Sequence, residues 1–314
     1  MRRRILLAGG SGFLGQLLAE HLSRLDWEPI VLTRTPRDNA HAKELAWDAK
    51  SLGPWHQALE DAEAVINLTG RSVNCRYTAG NRRAIMDSRV ESTRVIGEAI
   101  ARCAKPPRIW LNASTATLYE HTFGPAHDET SNAFNATLDA KDAFSVSVGR
   151  AWEQALSDVP TPHTRKVALR ISIVFGTVPG GVFRILRRLT KFGLGGRMGS
   201  GRQFVSWIHE LDFCRAIEWI LSQPAMNGPV NLASPHPVTN AEMMRMFREV
   251  CGTPVGVPAA KWMLELGAIV LRTETELLLK SRRVVPGRLL ACGFQFQYAT
   301  MAEALADLEG RLNA

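Results

Sequence analysis

Seven residues near the amino terminus, GGSGFLG at positions 9–15, constrain the fold of this chain more than any other segment. They follow a short apolar run at residues 5–8 and precede a segment with apolar residues at helical spacing. Between a strand and a helix, Gly9 permits a tight turn, Gly12 lets a pyrophosphate approach the backbone, and Gly15 lets the helix pack on the strand. The helix start also offers free N–H groups and positive charge to an anion. The pattern predicts a dinucleotide-binding turn, with the spacing GxxGxxG instead of GxGxxG.

Short apolar runs alternate with amphipathic stretches through the first half of the chain. The runs are typical of strands buried on both faces, whereas residues 17–25 and 85–101 have apolar positions at helical spacing. This alternation predicts an α/β fold in which helices cover both sides of a parallel sheet. The predicted strands are residues 5–8, 29–33, 64–68, 108–112 and 166–175, with a last one at 230–233.

Two stretches interrupt the alternation. Residues 120–142 are polar and lack periodicity, which predicts a long surface excursion. Residues 176–201 are rich in glycine at both ends and enclose a short helix with one apolar and one basic face. Such a helix either contacts a membrane or an anionic ligand, or lies at the surface with a solvated basic face, which is the commoner case. The apolar face holds Val182, Ile185, Leu186, Leu189 and Phe192, and the basic face holds Arg184, Arg187, Arg188 and Lys191.

The last quarter of the sequence has a mainly helical pattern. Thr239 with Glu242, and Thr300 with Glu303, fit the T-x-x-E capping box, in which each side chain bonds the backbone N–H of the other residue. Gly252 is expected to end the first of these helices. Both pairs predict helix starts and carry no chemistry.

Charge and composition argue against a nucleic-acid-binding protein and leave an anionic small molecule, or a simple effect on solubility, as interpretations of the positive charge. The chain has 314 residues and 38 Lys and Arg against 30 Asp and Glu, a net charge of +8, but its basic residues are scattered and no nucleic-acid-binding module is recognised. The first apolar stretch is too short for a signal peptide, and no run is long enough to cross a bilayer. Five separated cysteines without a CxxC pair predict neither a disulfide scaffold nor a metal site. We expect a cytoplasmic protein with no nucleic-acid or membrane partner; a homodimer is one option.

The end of the second predicted strand indicates which dinucleotide is bound. An NAD site usually has an acidic residue here, which accepts hydrogen bonds from the ribose 2′-OH. This chain has Thr33 and Arg34 instead, and a guanidinium can pair with a 2′-phosphate that an acid would repel. NADP is therefore favoured over NAD. Arg37 nearby is an alternative partner for the phosphate, and either arginine could instead be a solvated loop residue.

Further motifs resemble those of the short-chain dehydrogenase/reductase superfamily in its extended, epimerase-like form. The match is closer to a branch whose members carry a C-terminal domain of unknown function. It covers nearly the whole chain, and its glycine–tryptophan segment is the most specific part. Besides residues 9–15, the motifs are LTR at 32–34, WD at 47–48, INLTG at 66–70, DSR at 87–89, residues 170–176, GLGG at 193–196, GSGRQ at 199–203, SWIH at 206–209, PVN at 229–231 and VVP at 284–286 with Leu289.

The resemblance implies a Rossmann-like, doubly wound NADP-binding domain and a smaller C-terminal α/β domain that closes a substrate cleft. The first would span residues 1–175, completed by segments around 203–234, and the second residues 176–202 and 235–314. Transferred position by position, the cofactor contacts would come from the phosphate turn, the second and fourth strands and two further residues. These are Gly9, Gly12, Phe13, Leu14, Gly15, Thr33, Arg34, Leu68, Thr69, Arg89 and Val174.

The proton-transfer residues of the superfamily are missing here. Its members use a Ser or Thr hydroxyl, a Tyr phenol and a Lys four residues later, because a nearby cation lowers a phenol pKa that is otherwise near 10. None of the three tyrosines of this chain begins a YxxxK motif. By register, the Tyr position holds Ser145 and the Lys position Gly149, with Arg150 next to it but about 100° around the helix. The hydroxyl position is retained as Thr115, with Ser114 as the neighbouring candidate.

Four other residues are candidates to replace the missing groups or lie near them. Tyr119 follows the fifth strand and is either a replacement acid or an aromatic lining of the pocket, the second being commoner. His121 and His127 lie in the polar excursion, where surface histidines are usual, although both could titrate near neutral pH. His209 is interpreted as structural, bridging the sheet to the second domain. We take Thr115 and Tyr119 as the predicted catalytic residues.

The sequence therefore predicts an NADP-binding oxidoreductase of unknown substrate that lacks the usual proton relay. An NADP(H)-binding sensor without catalytic activity is the alternative. A nucleotide-sugar epimerase is the least favoured, because it would need the missing Tyr and Lys.

Overall fold

The computed structural model describes residues 2–270 and 274–313; residue 1, residues 271–273 and residue 314, which fall within the predicted domains, lie outside the described residues. The strands are, in chain order, β1 (Arg3–Ala8), β2 (Trp27–Thr33), β3 (Lys43–Ala46), β4 (Ala64–Asn67), β5 (Ile109–Thr115), β6 (Arg165–Ile171), β7 (Ile173–Phe175), β8 (Phe204–Val205), β9 (Trp207–His209), β10 (Gly228–Leu232) and β11 (Val238–Thr239).

The helices cover the sheet and build most of the last third of the described chain. They are α1 (Phe13–Ser23), α2 (Ala79–Ala101), α3 (Ala143–Asp158), α4 (Val182–Leu189), α5 (Glu210–Ser222), α6 (Asn240–Val250), α7 (Lys261–Val270), α8 (Glu276–Leu279), α9 (Gly287–Ala291) and α10 (Met301–Asn313). Short helical turns add Pro54–Leu59, Ala116–Leu118 and Thr190–Leu194.

The main sheet has seven strands in the order β10-β6-β5-β4-β1-β2-β3, and all of its pairs are parallel. Leu18 and Leu22 of α1 and Ile217 of α5 pack on one face, whereas Ile96 and Ile100 of α2 pack on the other. The strand order reverses beside β1, so the crevice at the carboxyl ends of β1 and β4 is the place where such sheets bind ligands. The predicted Rossmann-like, doubly wound α/β fold is confirmed.

Most strand predictions differ from the structure by a few residues at their ends, and one predicted strand is two strands. The segment predicted as a single strand at residues 166–175 ends in the main sheet at Ile171. Ser172 then bonds the carbonyl oxygen of Leu232 through both its backbone N–H and its hydroxyl, 3.1 and 2.7 Å away. The following β7 pairs with β9 in a separate two-stranded sheet. Strand β3 was not predicted, because its four residues are half-buried or exposed and form no apolar run.

A second apolar cluster lies beyond the sheet. Phe175 and Trp207 stack with ring centroids 6.3 Å apart, and Phe183 of α4, Phe247 of α6 and Leu305 of α10 pack around them. Both predicted capping boxes are present, at the starts of α6 and α10. The bounds of the two predicted domains stay a prediction.

The apolar face predicted for residues 182–192 is partly wrong. Helix α4 buries Phe183 and Leu186, whereas Val182, Ile185 and Phe192 remain exposed. The chain past Leu189 leaves the regular helix, with Gly193 at a φ of 75°, so the predicted stripe does not continue on one face. No helix in the described ranges combines the length and apolar character needed to cross a membrane.

Candidate functional site

A cleft of about 560 Å³ opens at the carboxyl edge of the parallel sheet. It begins at the start of α1, passes the ends of β4 and β5, and reaches the first turns of α3. Five of the residues predicted from the sequence line it, namely Phe13, Leu14, Leu68, Arg89 and Thr115. The cleft therefore joins the predicted phosphate turn to the predicted catalytic hydroxyl.

The glycine turn has the geometry that its sequence predicts. Gly9 has a φ of 74°, and a Cβ there would lie 2.9 Å from the Thr69 backbone nitrogen. A Cβ on Gly15 would lie 2.3 Å from the Cα of Gly10, so only glycine allows α1 to pack this closely. A Cβ on Gly12 would meet only the Gly9 carbonyl oxygen, at 3.4 Å. The face of Gly12 is thus open, and no described side chain caps the amino terminus of α1.

The end of β2 places a hydroxyl next to this turn. Thr33 is buried, and its hydroxyl donates to the Ser11 hydroxyl at 3.1 Å. Arg34, the next residue, is exposed at the carboxyl end of the strand. Arg37 is also exposed, and its backbone N–H donates to the Glu44 carboxylate at 2.9 Å.

The end of β4 presents an unsatisfied hydroxyl. The backbone N–H of Thr69 donates to Asn67 Oδ1 at 3.0 Å, which shapes the chain where it leaves the strand. Asn67 in turn donates to Asn112 Oδ1 of β5 at 2.8 Å. The buried Thr69 Oγ1 has no hydrogen-bond partner among the described residues. A buried hydroxyl without a partner is costly, so a polar group of a ligand bound at the end of β4 would stabilise this atom.

A half-buried guanidinium lies on the same wall of the cleft. Arg89 Nη1 donates to the carbonyl oxygens of Arg71 and Ile85 at 3.1 and 3.0 Å, and its guanidinium carbon lies 4.9 Å from the Trp152 ring centroid. Burial lowers the pKa of Arg89 to about 10, so the group stays charged at neutral pH. No carboxylate in the described part of the chain pairs with it. An anion in the cleft would compensate this charge.

The position of the missing lysine is closed by packing. A Cβ on Gly149 would lie 3.1 Å from Leu118 Cδ1 and 3.3 Å from Thr115 Cγ2, so helix α3 lies directly against the turn after β5. A side chain here would require Leu118 and Thr115 to shift by a few tenths of an ångström. Thr115 Oγ1 accepts the Thr117 N–H at 3.1 Å, and this contact leaves the hydroxyl proton of Thr115 unused.

The position of the missing tyrosine holds a serine with an acidic partner. Ser145 lines the cleft, and its hydroxyl donates to Glu276 Oε2 at 2.8 Å. Tyr77, from the segment before α2, lines the same cleft with its ring 4.9 Å from that of Phe144. Burial raises the pKa of the Glu276 carboxyl. Burial first, and the charge of Glu276 second, raise the pKa of the Tyr77 phenol, whereas a hydrogen bond with Ser145 opposes them.

A buried ion pair fixes this acidic partner. Lys280 Nζ lies 2.6 Å from Asp142 Oδ2 and donates to the Thr117 carbonyl oxygen at 2.6 Å. Asp142 directly precedes α3, which carries Ser145. The pair therefore joins the segment holding Glu276 to the start of the helix that holds Ser145.

Tyr119 does not line the cleft. It is 1% exposed, and its hydroxyl donates to Asn231 Oδ1 at 3.0 Å and accepts from Arg170 Nη1 at 2.8 Å. Ser114 does line the cleft, but its hydroxyl belongs to the same buried network, because it donates to Glu153 Oε1 at 2.6 Å and Glu153 pairs with Arg170. These contacts do not support Tyr119 as the replacement acid, nor Ser114 as the substrate-binding hydroxyl.

The histidines have structural contacts. His121 Nδ1 accepts the Ser281 N–H at 2.9 Å, and the backbone of His127 bonds that of residues 283 and 285, so the 120–142 excursion packs against the C-terminal segment. His209 caps α5 and its Nε2 lies 3.1 Å from Asp307 Oδ2 of α10, which matches its predicted bridging position. Val174, a predicted cofactor contact, lies in β7 and is not among the residues that line the cleft. The same holds for the other predicted contacts in the turn and at the strand ends, namely Gly9, Gly12, Gly15, Thr33, Arg34 and Thr69.

Sequence reasoning missed two residues of this site. They are Tyr77, which begins no YxxxK motif, and Glu276, which lies in no recognised motif. The contact between Ser145 and Glu276 spans 131 positions of the chain. No local pattern marks a pair so far apart, whereas an aromatic residue just before the Thr78 cap of α2 was a signal that could have been used.

Comparisons with known proteins match both parts of the chain to family models. The model of the NAD dependent epimerase/dehydratase family matches residues 5–233, and that of a domain of unknown function, DUF1731, matches residues 259–308. The epimerase family protein Mb2239 of Mycobacterium bovis is 33% identical over 304 residues, 96% of each chain. Epimerase family protein SDR39U1 of Bos taurus is 29% identical over 309 residues, 97% of this chain and 99% of the relative.

The solved structures include a close match over the whole chain. The crystal structure of human epimerase family protein SDR39U1 (isoform 2) with NADPH has a TM-score of 0.85 and 27% identity, and the match covers 98% of this chain and 99% of that one. The resemblance predicted from the sequence motifs is confirmed, including the C-terminal domain of unknown function. The chain belongs to the NAD dependent epimerase/dehydratase family.

Proposed function

We propose that this protein is an NADP-dependent oxidoreductase that interconverts a small carbonyl compound and its alcohol. The observation that carries the proposal is the single cleft that runs from the uncapped start of α1 to the hydroxyls of Thr115 and Ser145. One end suits a diphosphate, because helix N–H groups and positive charge meet there. The other end has groups that can hold a substrate oxygen and move a proton.

Residues of the cleft and of the chain turns beside it fit the dinucleotide. Gly12 has an open face towards which a diphosphate can approach, and the unpartnered Thr69 hydroxyl can bond a ribose or phosphate oxygen. Arg89 offers a positive charge without a carboxylate partner in the described chain. When bound, the nicotinamide supplies or accepts a hydride. Phe13, Leu14 and Leu68 line the cleft and can cover the apolar parts of the cofactor.

The end of β2 supports NADP as the dinucleotide. The acid expected for the 2′-OH of NAD is replaced by Thr33 and Arg34, and the exposed Arg34 is free to meet a 2′-phosphate at the surface. The structure of human SDR39U1 with NADPH, at 27% identity over nearly the whole chain, is further support.

Side chains of the cleft can orient the substrate and form an apolar wall beside it. The Thr115 hydroxyl can donate to the substrate oxygen, because its own contact with Thr117 uses only its lone pair. Phe144, Val148 and Ile171 line the same region of the cleft and give it an apolar wall. Tyr119 is left out of this mechanism, since its hydroxyl is bound within the buried network.

An NADP(H)-binding sensor is the second candidate. It is favoured by the absence of a YxxxK motif from the sequence and by the packing of Gly149 against Leu118 and Thr115. A nucleotide-sugar epimerase remains the least favoured, because the chain lacks the Tyr and Lys of that motif. A homodimer and a cytoplasmic location remain predictions from the sequence.

Calorimetric titration followed by turnover assays tests the proposal. The purified protein is titrated with NADPH, NADP, NADH and NAD, and NADPH oxidation is then followed with a panel of aldehydes and ketones. We expect binding of the two phosphorylated forms and oxidation with at least one carbonyl class. Binding without turnover across the panel would favour the sensor, and no binding heat with any dinucleotide would refute both.

A further inference from the structure

We propose that Ser145 and Glu276 form a proton relay that takes the place of the missing tyrosine and lysine. The Ser145 hydroxyl passes the proton to the substrate oxygen, and the Glu276 carboxyl resupplies it. The inference rests on the proposed oxidoreductase function and assigns a task to the C-terminal segment, because Glu276 lies within residues 259–308, which match the domain of unknown function.

The position of Ser145 faces the reacting end of the cleft. Ser145 and Gly149 are four residues apart on α3 and so lie on the same helix face. Gly149 contacts Thr115, and both Thr115 and Ser145 line the cleft. A substrate oxygen bound by the Thr115 hydroxyl is therefore held on the side of the cleft from which the Ser145 hydroxyl can reach it.

Glu276 contacts the cleft through Ser145. It is 5% exposed, and its Oε2 accepts the Ser145 hydroxyl at 2.8 Å. Its Oε1 is buried without a hydrogen-bond partner among the described residues. Glu276 is not among the residues that line the cleft, so a proton that leaves its carboxyl for the substrate travels by way of the serine oxygen.

Burial affects the pKa of Glu276 more than any neighbouring charge does. The charges of Arg282 and Lys280 lower the pKa of Glu276, and the charge of Asp142 raises it. The Glu276 carboxylate in turn raises the pKa of the Tyr77 phenol. The largest effect is loss of hydration, which raises the pKa of Glu276. A glutamate with a raised pKa keeps its proton closer to neutral pH than an ordinary glutamate does. Such a group is a suitable proton donor for carbonyl reduction.

The step balances with the hydride that the dinucleotide brings. When the carbonyl carbon of the substrate accepts the hydride, the electron pair of the C=O π bond moves onto oxygen. That oxygen takes the proton of Ser145, and Ser145 Oγ takes the proton of Glu276, which is left as a carboxylate. Alcohol oxidation runs the same transfers in reverse, with the Glu276 carboxylate as the final base.

Activity measurements on matched variants test the relay. Glu276→Gln keeps the hydrogen-bond acceptor but removes the acid, and Ser145→Ala removes the hydroxyl; each should lower kcat for carbonyl reduction about 100-fold or more, with NADPH affinity unchanged. Ser145→Thr should restore most of the activity. The control is Ser147→Ala, an exposed serine of α3 that bonds only its own helix, and it should behave as wild type.

Two further readouts separate a relay from a structural role. In wild type, kcat/KM for reduction should fall as pH rises through the Glu276 pKa, and this descent should be absent in Glu276→Gln. In the protein without dinucleotide, infrared titration of the Glu276 carboxyl should shift upward in Ser145→Ala, since the serine donor stabilises the carboxylate. Full kcat in either variant, or an unshifted titration, would overturn the relay. Absence of turnover in wild type itself would instead overturn the proposed function.

Discussion

The Lys280 ammonium lies 2.6 Å from the Asp142 carboxylate, and neither side chain is exposed to solvent. Removing one partner of a buried ion pair leaves an uncompensated charge, at a cost of about 3–5 kcal/mol. We expect Lys280→Met to lower the free energy of unfolding by that amount, measured by urea denaturation. Combining it with Asp142→Asn should recover part of the loss.

An exposed pair provides the control for this measurement. Lys105 and Asp61 lie 3.2 Å apart, with side chains 74% and 53% exposed. Exposed pairs contribute about 1 kcal/mol or less, so Lys105→Met should change the free energy of unfolding little. Equal losses in the two variants would show that the buried pair is not what joins the C-terminal segment to α3.

Two glycines of the phosphate turn should respond differently to alanine. A Cβ at Gly12 meets one carbonyl oxygen at 3.4 Å, whereas a Cβ at Gly15 would lie 2.3 Å from a backbone carbon. Gly12→Ala should therefore leave the melting temperature nearly unchanged but weaken NADPH binding, because its methyl group occupies the space of the diphosphate. Gly15→Ala should lower the melting temperature by several degrees. Calorimetry and thermal denaturation check the pair, and unchanged NADPH affinity in Gly12→Ala would contradict the proposed cofactor position.

The choice between the two phosphate partners can be tested by charge reversal. Arg34→Asp should weaken NADPH binding at least tenfold and NADH binding much less, because the new acid repels only the 2′-phosphate. The matched control is Arg37→Asp, three residues away and equally exposed. Titration calorimetry with both dinucleotides distinguishes them: the reverse order of effects would assign the phosphate to Arg37, and equal weakening of NADPH and NADH would remove the basis for NADP.

Local patterns were enough to predict the sheet and the phosphate turn. Apolar runs mark β1, β2, β4 and β5 because strands of a covered parallel sheet are buried on both faces. The positive φ of Gly9 follows from its place between a strand and a helix. The break at Ser172 could not be predicted, because it depends on hydrogen bonds to Leu232, 60 positions later.

The reacting end of the site could be predicted only in part. Thr115 and Ser145 were located by register against a family pattern, and both line the cleft. Their surroundings depend on distant residues: Tyr119 is enclosed by Arg170 and Asn231, which are 51 and 112 positions away. Such contacts decide whether a hydroxyl faces a substrate or a buried partner, and they leave no periodic signal in the sequence.

Replacing Tyr119 by phenylalanine separates its two interpretations. The hydroxyl bridges Arg170 and Asn231 in a buried site, so its loss leaves polar groups unpaired and should cost about 1–3 kcal/mol of unfolding free energy. Turnover per folded molecule should stay within twofold of wild type. Tyr77→Phe is the comparison, since Tyr77 lines the cleft. A large loss of kcat in Tyr119→Phe at unchanged stability would restore Tyr119 as the acid.

The buried His209 should make the fold sensitive to acid. Burial lowers its pKa from 6.5 to about 4, despite the neighbouring Asp307. Between pH 6.5 and pH 4 the imidazole is therefore protonated in the unfolded chain but neutral in the folded protein. The free energy of unfolding falls as pH drops through this range. At about 1.4 kcal/mol per pKa unit, the loss is about 3 kcal/mol. In urea denaturation across pH 4–7, His209→Asn, which can still cap α5, should remove most of this dependence of stability on pH. The control His163→Asn, at an exposed histidine, should keep it. An unchanged dependence in His209→Asn would assign the acid sensitivity to other groups.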